Sequence, residues 1–174
     1  GIWRVCISSL WWFIKGTNKM KIVVCSDNHY NFDVLDKILA DNPDADYYWH
    51  LGDSEANEEK DIYPFVSVRG NNDYLNLPVF KIFEVGGHRF FLTHGHRYLR
   101  SDFYGLYEVA VQNNCDVLLY GHTHMFSDYS YEGARFLNPG SCRLNRDGTP
   151  PSYMIIDIDD KHNINVKRVD IKRK

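Results

Sequence analysis

Five short polar clusters recur along the chain, and their side chains are of the types that bind divalent metal ions. They are Asp27-x-His29, Gly52-Asp53, Gly70-Asn71, His94-Gly95-His96 and Gly121-His122-x-His124. Carboxylate and amide oxygens together with imidazole nitrogens, and no thiolate, suit Mn²⁺, Fe or Zn²⁺ better than a structural cysteine–zinc site. Each cluster alone occurs in many chains, but the five together predict a metal centre.

The Gly52-Asp53 pair is the candidate for a ligand shared by two ions. In two-metal hydrolytic sites the ions lie about 3.5 to 4 Å apart and need a common ligand. A carboxylate at a tight turn can be that ligand, so we predict that Asp53 bridges the ions. His88 and His162 are predicted on the solvated surface, and His50 is predicted to pack or to support the centre without a direct role.

Strands and helices must bring these distant clusters together. Residues 21–26 form a continuous apolar run of strand length, residues 31–40 carry apolar residues at helical spacing, and residues 46–51 return as a strand. Residues 63–69 and 116–120 are further predicted strands. A polar cluster follows each of these strands, and ligands of α/β sheets bind outside the carboxyl ends of strands. We therefore expect the clusters to converge on one edge.

The second half of the chain predicts antiparallel pairing. Gly86-Gly87 separates two apolar runs, 80–85 and 88–93, which is typical of a hairpin. A helix is predicted over residues 103–114. Further short strands are predicted at 129–131, 135–137, 153–158 and 163–169. The sequence therefore predicts one domain over residues 20–174, of α/β class, with a mixed sheet system and helices outside it.

The composition excludes several classes of protein. The 174 residues include 44% hydrophobic ones, enough for a buried core, and their formal charge of −3 provides no basic field for a stable nucleic-acid partner. The four cysteines form no Cys-x-x-Cys pair, which favours reduced thiols and a cytoplasmic location.

Residues 1–19 differ in character from the rest of the chain. Their aromatic run is too short to span a bilayer and lacks the order of a secretory signal. We interpret them as a non-native or upstream-translated extension, with Met20 as the natural start. The alternative is a short membrane-surface anchor with Trp11 and Trp12 at the interface. On the first interpretation, deleting residues 1–19 leaves folding and activity intact.

The ordered clusters, together with Asn138-Pro139-Gly140-Ser141, resemble the calcineurin-like metallophosphoesterases, and most closely their small prokaryotic phosphodiesterase branch. The resemblance implies a four-layer αββα sandwich with two mixed β-sheets. It also implies two metal sites, one formed by Asp27, His29, Asp53 and His124 and the other by Asp53, Asn71, His94 and His122. His96 would then be a catalytic residue that faces the substrate.

One departure from the family pattern bears on the mechanism. Many family phosphatases carry a histidine, thought to protonate the leaving group, at the position where this chain has Asn72. An aspartate commonly orients that histidine, and this chain has Ala56 at the position of the aspartate. We predict Asn72, with His96, among the catalytic residues, but Asn72 has no proton that titrates near neutral pH. The missing pair shifts the expected substrate from monoesters toward diesters and makes His96 the leading replacement donor.

The resemblance implies a phosphodiesterase in which a hydroxide bridging two divalent ions attacks phosphorus. Mn²⁺ is the favoured ion, with Fe, Ni²⁺ or Zn²⁺ as alternatives. The expected partner is a small phosphodiester, with no membrane, no stable nucleic acid, and a homodimer or higher homo-oligomer left open. A non-catalytic protein-binding scaffold on the same fold is the alternative, which the filled ligand positions disfavour. A nuclease is disfavoured because basic residues concentrate only at Lys167-Arg168 and Lys172-Arg173-Lys174.

Overall fold

The computed structural model describes residues 19–99 and 103–172. Apart from Lys19, the predicted extension of residues 1–19 lies outside the described residues. The elements in chain order are β1 (Met20–Cys25), α1 (Phe32–Asp41), β2 (Tyr47–His50), β3 (Val66–Ser67), β4 (Phe80–Val85), β5 (His88–Thr93), α2 (Tyr104–Gln112), β6 (Val117–Leu119), β7 (Phe126–Tyr131), β8 (Ala134–Pro139), β9 (Ser152–Ile158) and β10 (Ile164–Asp170). Neither described helix is long and apolar enough to cross a membrane.

The strands form two mixed sheets of five strands each. The first has the order β10-β9-β1-β2-β3, with β1, β2 and β3 parallel and β9 antiparallel to both β1 and β10. The second has the order β4-β5-β6-β8-β7, with β5, β6 and β8 parallel and antiparallel edge strands on both sides. The predicted mixed sheets are confirmed, and each sheet contributes parallel strands whose carboxyl ends carry polar clusters.

Successive side chains of a strand point to opposite faces of its sheet, and β1 uses both faces. Ile22 and Val24 pack against the second sheet in a cluster with Phe90. Val23 packs under α1 in a cluster with Leu35. All five side chains are at most 2% exposed, and burying each contributes about 1.5 to 3 kcal/mol.

The second sheet repeats this arrangement with α2 on its outer face. Phe91 and Leu118 pack there with Leu106 and Ala110, while their strand neighbours face the first sheet. The layers are therefore α1, the first sheet, the second sheet and α2. The four-layer αββα sandwich with two mixed β-sheets is confirmed.

Helix α1 begins and ends at polar caps. The side chain of Asn31 accepts a hydrogen bond from the N–H of Val34 at 3.4 Å, and Asp33 lies in the first turn, where the helix dipole favours an acid. At the other end the Asn42 amide donates to Ile38 O at 2.9 Å. The caps fix the helix between the end of β1 and the start of β2.

The hairpin turn at Gly86 and Gly87 docks on the turn between β9 and β10 and so joins the two sheets. His88 bonds through Nδ1 to Asp116 Oδ2 at 2.6 Å and through Nε2 to the carbonyl of His162. His162 is exposed as predicted, whereas His88 is half-buried. The solvated position predicted for His88 is wrong, because two turns distant in sequence pack against each other.

Candidate metal centre

The polar clusters meet at the carboxyl ends of the parallel strands of both sheets. Backbone hydrogen bonds tie the loops together: the N–H of Asp27 donates to Gly52 O at 3.1 Å, and the N–H of His29 donates to Asp53 O at 3.1 Å. Within the second sheet, the N–H of Gly121 donates to His94 O at 3.1 Å. These bonds bring the end of β1 to the end of β2, and the end of β6 to the end of β5.

Five of the candidate ligands have a backbone conformation that residues other than glycine adopt reluctantly. Their φ angles are positive: Asp27 (56°), His29 (42°), Asp53 (57°), His122 (68°) and His124 (54°). Such residues cost of order 1 kcal/mol or more each and persist only where the surroundings impose them, most often at functional sites. The fold therefore accepts backbone strain to aim these side chains at a common point.

The first group of donor atoms gathers at Asp27. Its Oδ1 lies 3.2 Å from His124 Nε2 and 3.6 Å from His29 Nε2. Its Oδ2 accepts hydrogen bonds from Ser26 Oγ and from the N–H of His122. Among the described residues, Oδ1 is a buried oxygen without a hydrogen-bond partner. A buried carboxylate oxygen in this state needs a cation or a proton donor.

The second group gathers at Asp53. Its Oδ2 lies 3.3 Å from His94 Nε2, and the same nitrogen lies 2.9 Å from Asn71 Oδ1. Asn71 Oδ1 also lies 3.1 Å from His122 Nδ1. With the first group, these contacts place all seven candidate ligands around one centre.

Backbone carbonyls decide which nitrogen of two histidines carries the proton. Nδ1 of His94 lies 2.7 Å from Leu51 O, and Nδ1 of His124 lies 3.1 Å from Leu144 O. A carbonyl only accepts, so each Nδ1 donates and each neutral ring turns the lone pair of Nε2 inward. His124 Nε2 then faces His29 Nε2 at 3.1 Å.

The spacing of these inward donors fits metal coordination. Two ligand atoms bound at about 2.1 Å to one tetrahedral or octahedral ion lie about 3 to 3.5 Å apart. Lone pairs facing one another at that spacing repel unless a cation lies between them. The donor set and its geometry therefore fit divalent metal ions.

The pKa values agree with a carboxylate pair that stays ionised. Burial raises the pKa of Asp27, but the imidazoles of His124 and His29 beside its carboxylate, together with that of His94, outweigh burial and hold this pKa well below its usual range. Burial also raises the pKa of Asp53, but the adjacent imidazole of His94 and the hydrogen bonds from Asn72 bring it to about 2. Both carboxylates are therefore negative at neutral pH and could bind a metal ion without first losing a proton.

Both carboxylates face both groups of donors. Ligand atoms within 4.8 Å of one another form one set at Asp27, His29 and His124 and another at Asp27, Asp53 and His94. Asp53 Oδ2 also lies 4.0 Å from His29 Nε2. The bridging role of Asp53 stays a prediction, and Asp27 has comparable access to both sets.

The two residues predicted to act in catalysis border the centre. The ring of His96 lies 5.4 Å from that of His94 and 6.1 Å from that of His122, and burial together with the charge of His94 lowers the His96 pKa. Asn72 lies against the carboxylate of Asp53, because its backbone N–H donates to Oδ1 at 2.8 Å and its Nδ2 donates to Oδ2 at 2.9 Å.

Asp73 is a buried residue of the site loops whose importance the sequence analysis missed. Its buried carboxylate accepts hydrogen bonds from the N–H groups of Asp53 at 2.9 Å, Gly70 at 2.6 Å and Glu55 at 2.9 Å. It thus fastens the loop after β2 to the loop after β3. The loops approach so closely that a Cβ on Gly70 would lie 2.1 Å from Asp53 Oδ1. The only sequence signal was an acidic residue at the end of the Gly70-to-Asp73 turn.

His50 lies beneath the centre, where sequence analysis placed it. The N–H of Gly52 donates to His50 Nδ1 at 3.0 Å, so the ring carries its proton on Nε2 and donates to Asn28 Oδ1 at 2.8 Å. Burial lowers the His50 pKa to about 4, which keeps the ring neutral. His50 therefore supports the loops after β1 and β2 without facing the donors.

Comparisons with known proteins agree with this geometry. The family model described as the calcineurin-like phosphoesterase superfamily domain matches residues 20–161. A probable metallophosphoesterase of Methanocaldococcus jannaschii is 34% identical over 157 residues, covering 86% of this chain and 81% of that protein. A crystal structure of a conserved uncharacterised protein, a predicted phosphoesterase, from Streptococcus pneumoniae has a TM-score of 0.76 at 26% identity and covers 88% of this chain and 98% of that one. Wild-type Vps29 of Entamoeba histolytica, crystallised with Zn²⁺, has a TM-score of 0.68 at 25% identity, over 87% of this chain and 99% of that one.

Proposed function

The chain belongs to the calcineurin-like phosphoesterase superfamily, and from this membership and the geometry around Asp27 and Asp53 we propose that it is a metal-dependent phosphodiesterase with a dinuclear metal centre. The observation that carries the proposal is the convergence of lone pairs at the ends of the parallel strands. Asp27 Oδ1, Asp53 Oδ2 and the Nε2 atoms of three histidines lie 3.2 to 4.0 Å apart in the carboxylate-to-imidazole contacts.

The ligands divide into two sets in this proposal. Asp27, His29, Asp53 and His124 would hold one ion, and Asp53, Asn71, His94 and His122 the other. Mn²⁺ is our preferred ion because the set contains oxygen and nitrogen donors only. When bound, a two-metal centre supplies hydroxide near neutral pH and positive charge for the phosphoryl oxygens.

The protein's own residues supply orientation and hydrogen bonds. Leu51 O and Leu144 O hold the rings of His94 and His124 in the tautomer that binds a metal through Nε2. His96 is the residue that we assign to face the substrate. Its lowered pKa makes the ring neutral at pH 7, so one nitrogen can donate a hydrogen bond to a phosphoryl or leaving-group oxygen.

The preference for diesters rests on the position that Asn72 occupies. Its amide has no titrating proton, and both of its nitrogens already donate to Asp53. Ala56, at the position of the orienting aspartate, is 1% exposed and lies in an apolar cluster. Without a general acid to protonate a poor leaving group, the centre suits diesters more than monoesters.

A non-catalytic protein-binding scaffold is the second candidate, and the likeness to Vps29 is the observation that favours it. Side chains able to bind a metal fill every candidate ligand position in this chain, which supports the hydrolase. We further propose a cytoplasmic location, because Cys25, Cys115 and Cys142 are buried free thiols of the kind that a reducing compartment maintains.

The experiment is hydrolysis of bis(4-nitrophenyl) phosphate and 4-nitrophenyl phosphate by the metal-free protein and by the same protein reconstituted with Mn²⁺. We expect turnover only after reconstitution, with a higher kcat/KM for the diester. Bound metal without turnover of either ester would favour the scaffold. Faster turnover of the monoester would contradict the diester preference.

A further inference from the structure

A groove opens beside the metal centre, between the first turns of α1 and the residues that follow β10. The volume of this cavity is about 670 Å³. Sites for small molecules have volumes of about 300 to 1,000 Å³. The groove is lined by Asp33 and Lys37 of α1, by Arg143, and by Lys172. It is therefore large enough for one arm of a substrate held at the metal centre.

Arg143 connects the groove with the centre. Its Nη1 donates to the carbonyl oxygen of His29, a candidate ligand, at 3.3 Å. Its backbone is fixed as well, because Ser141 Oγ accepts the N–H of Arg143 at 3.1 Å and donates to Asp27 O at 2.8 Å. One guanidinium nitrogen therefore contacts the loop that carries His29, and the other N–H donors of this exposed side chain can bind a ligand.

The groove carries an excess of positive charge. Arg143, Lys37 and Lys172 line it, with Asp33 as the opposing carboxylate. Lys37 forms an ion pair with Asp41 at 3.2 Å, whereas no ion pair within residues 19–99 and 103–172 involves Arg143 or Lys172. A guanidinium and lysines that line one groove can bind phosphate through paired, charge-assisted hydrogen bonds.

We propose that this groove is a second phosphate subsite, and that the substrate is a phosphodiester with a further phosphate on one of its alcohol arms. Arg143 binds that phosphate together with Lys172 while the diester lies at the metal centre. The substrate class rests on the proposed phosphodiesterase function, but binding in the groove can be measured without turnover.

The kinetic test compares thymidine 5′-(4-nitrophenyl phosphate) with the same ester carrying a 3′-phosphate, using Mn²⁺-reconstituted protein. We expect the 3′-phosphate to lower KM about tenfold, the effect of one good charge-assisted contact. Arg143→Gln should bring the ratio of the two KM values close to one. Lys161→Gln, which removes an exposed cation in the turn after β9, should keep the tenfold ratio.

The binding test uses calorimetry with thymidine 3′,5′-bisphosphate and thymidine 5′-monophosphate. We expect the unmodified protein to bind the bisphosphate about tenfold more tightly than the monophosphate. Arg143→Gln should bind the two nucleotides with equal affinity. Equal affinities in the unmodified protein would overturn the subsite even if both esters are hydrolysed. Absence of hydrolysis together with tighter bisphosphate binding would overturn the proposed function and leave the subsite standing.

Discussion

Single residues around the centre act mainly by holding the candidate ligands in place. Asp73 receives the N–H groups of Asp53 and Gly70, and Asn72 donates twice to the Asp53 carboxylate. His50 receives the N–H of Gly52 from below. Leaving a buried polar group without its hydrogen-bond partner destabilises the fold by about 1 to 3 kcal/mol. These bonds therefore contribute both to stability and to the orientation of the candidate ligands.

Asp73→Asn should weaken metal binding as well as the fold. One carboxylate oxygen becomes an NH₂ group that faces backbone N–H donors, so we expect the free energy of unfolding to fall by about 2 to 3 kcal/mol. Calorimetry with Mn²⁺ at a temperature where the variant is folded should show affinity reduced about tenfold or more. Asp36→Asn, an exposed change on α1, is the control and should alter neither. Unchanged Mn²⁺ affinity in the folded Asp73 variant would leave Asp73 a structural role only.

His50 should make stability fall in mild acid. Its folded pKa of about 4 lies below the unfolded value of about 6.5, so the unfolded chain binds the proton first and stability declines as pH falls through this window. Between pH 7 and 5 we expect the unmodified, metal-free protein to lose about 2 kcal/mol relative to His50→Gln in urea unfolding. The raised pKa values of His29 and His94 act in the opposite direction in both proteins and cancel in this comparison. Parallel pH profiles for the two proteins would contradict the account.

At the scale of elements, the fold depends on contacts between turns as well as on strand pairing. The predicted strand over 63–69 is reduced to Val66–Ser67, because Pro64 has no N–H for a ladder. Strand β7 begins at Phe126, earlier than predicted, since it pairs along its whole length with β8. Local patterns identified both elements, whereas their lengths depend on partners that local sequence does not reveal.

The turn between β4 and β5 should tolerate no side chain at Gly86. A Cβ there would lie 2.6 Å from Cγ2 of Ile158, a core residue of the other sheet, so we expect Gly86→Ala to lower the free energy of unfolding by about 2 to 3 kcal/mol. Gly133→Ala is a matched control, because its φ of +80° is also positive but nothing lies within 4 Å of the added Cβ. In the same urea titration, backbone strain should lower the free energy of unfolding of the control by only about 1 kcal/mol. Equal losses would show that docking on Ile158 contributes nothing.

For the whole molecule, the sequence predicted the parts of the site better than their arrangement. Polar clusters after apolar strands predicted one centre, because parallel strands end at a common edge. The placement of β8 between β6 and β7, and the reach of Asp73 across two loops, follow from long-range packing that no local pattern encodes. The same packing places Arg143 beside His29, which neither the motif order nor the net charge of the chain indicated.

The most direct test of the proposed dinuclear centre is anomalous diffraction at the manganese edge from crystals grown with Mn²⁺. We predict two peaks about 3.5 to 4 Å apart, between the carboxylates of Asp27 and Asp53 and against the Nε2 atoms of His94 and His124. Crystals of Asp53→Ala should lose at least one of them. A single peak, peaks remote from these residues, or no peak at saturating Mn²⁺ would contradict the two-metal account.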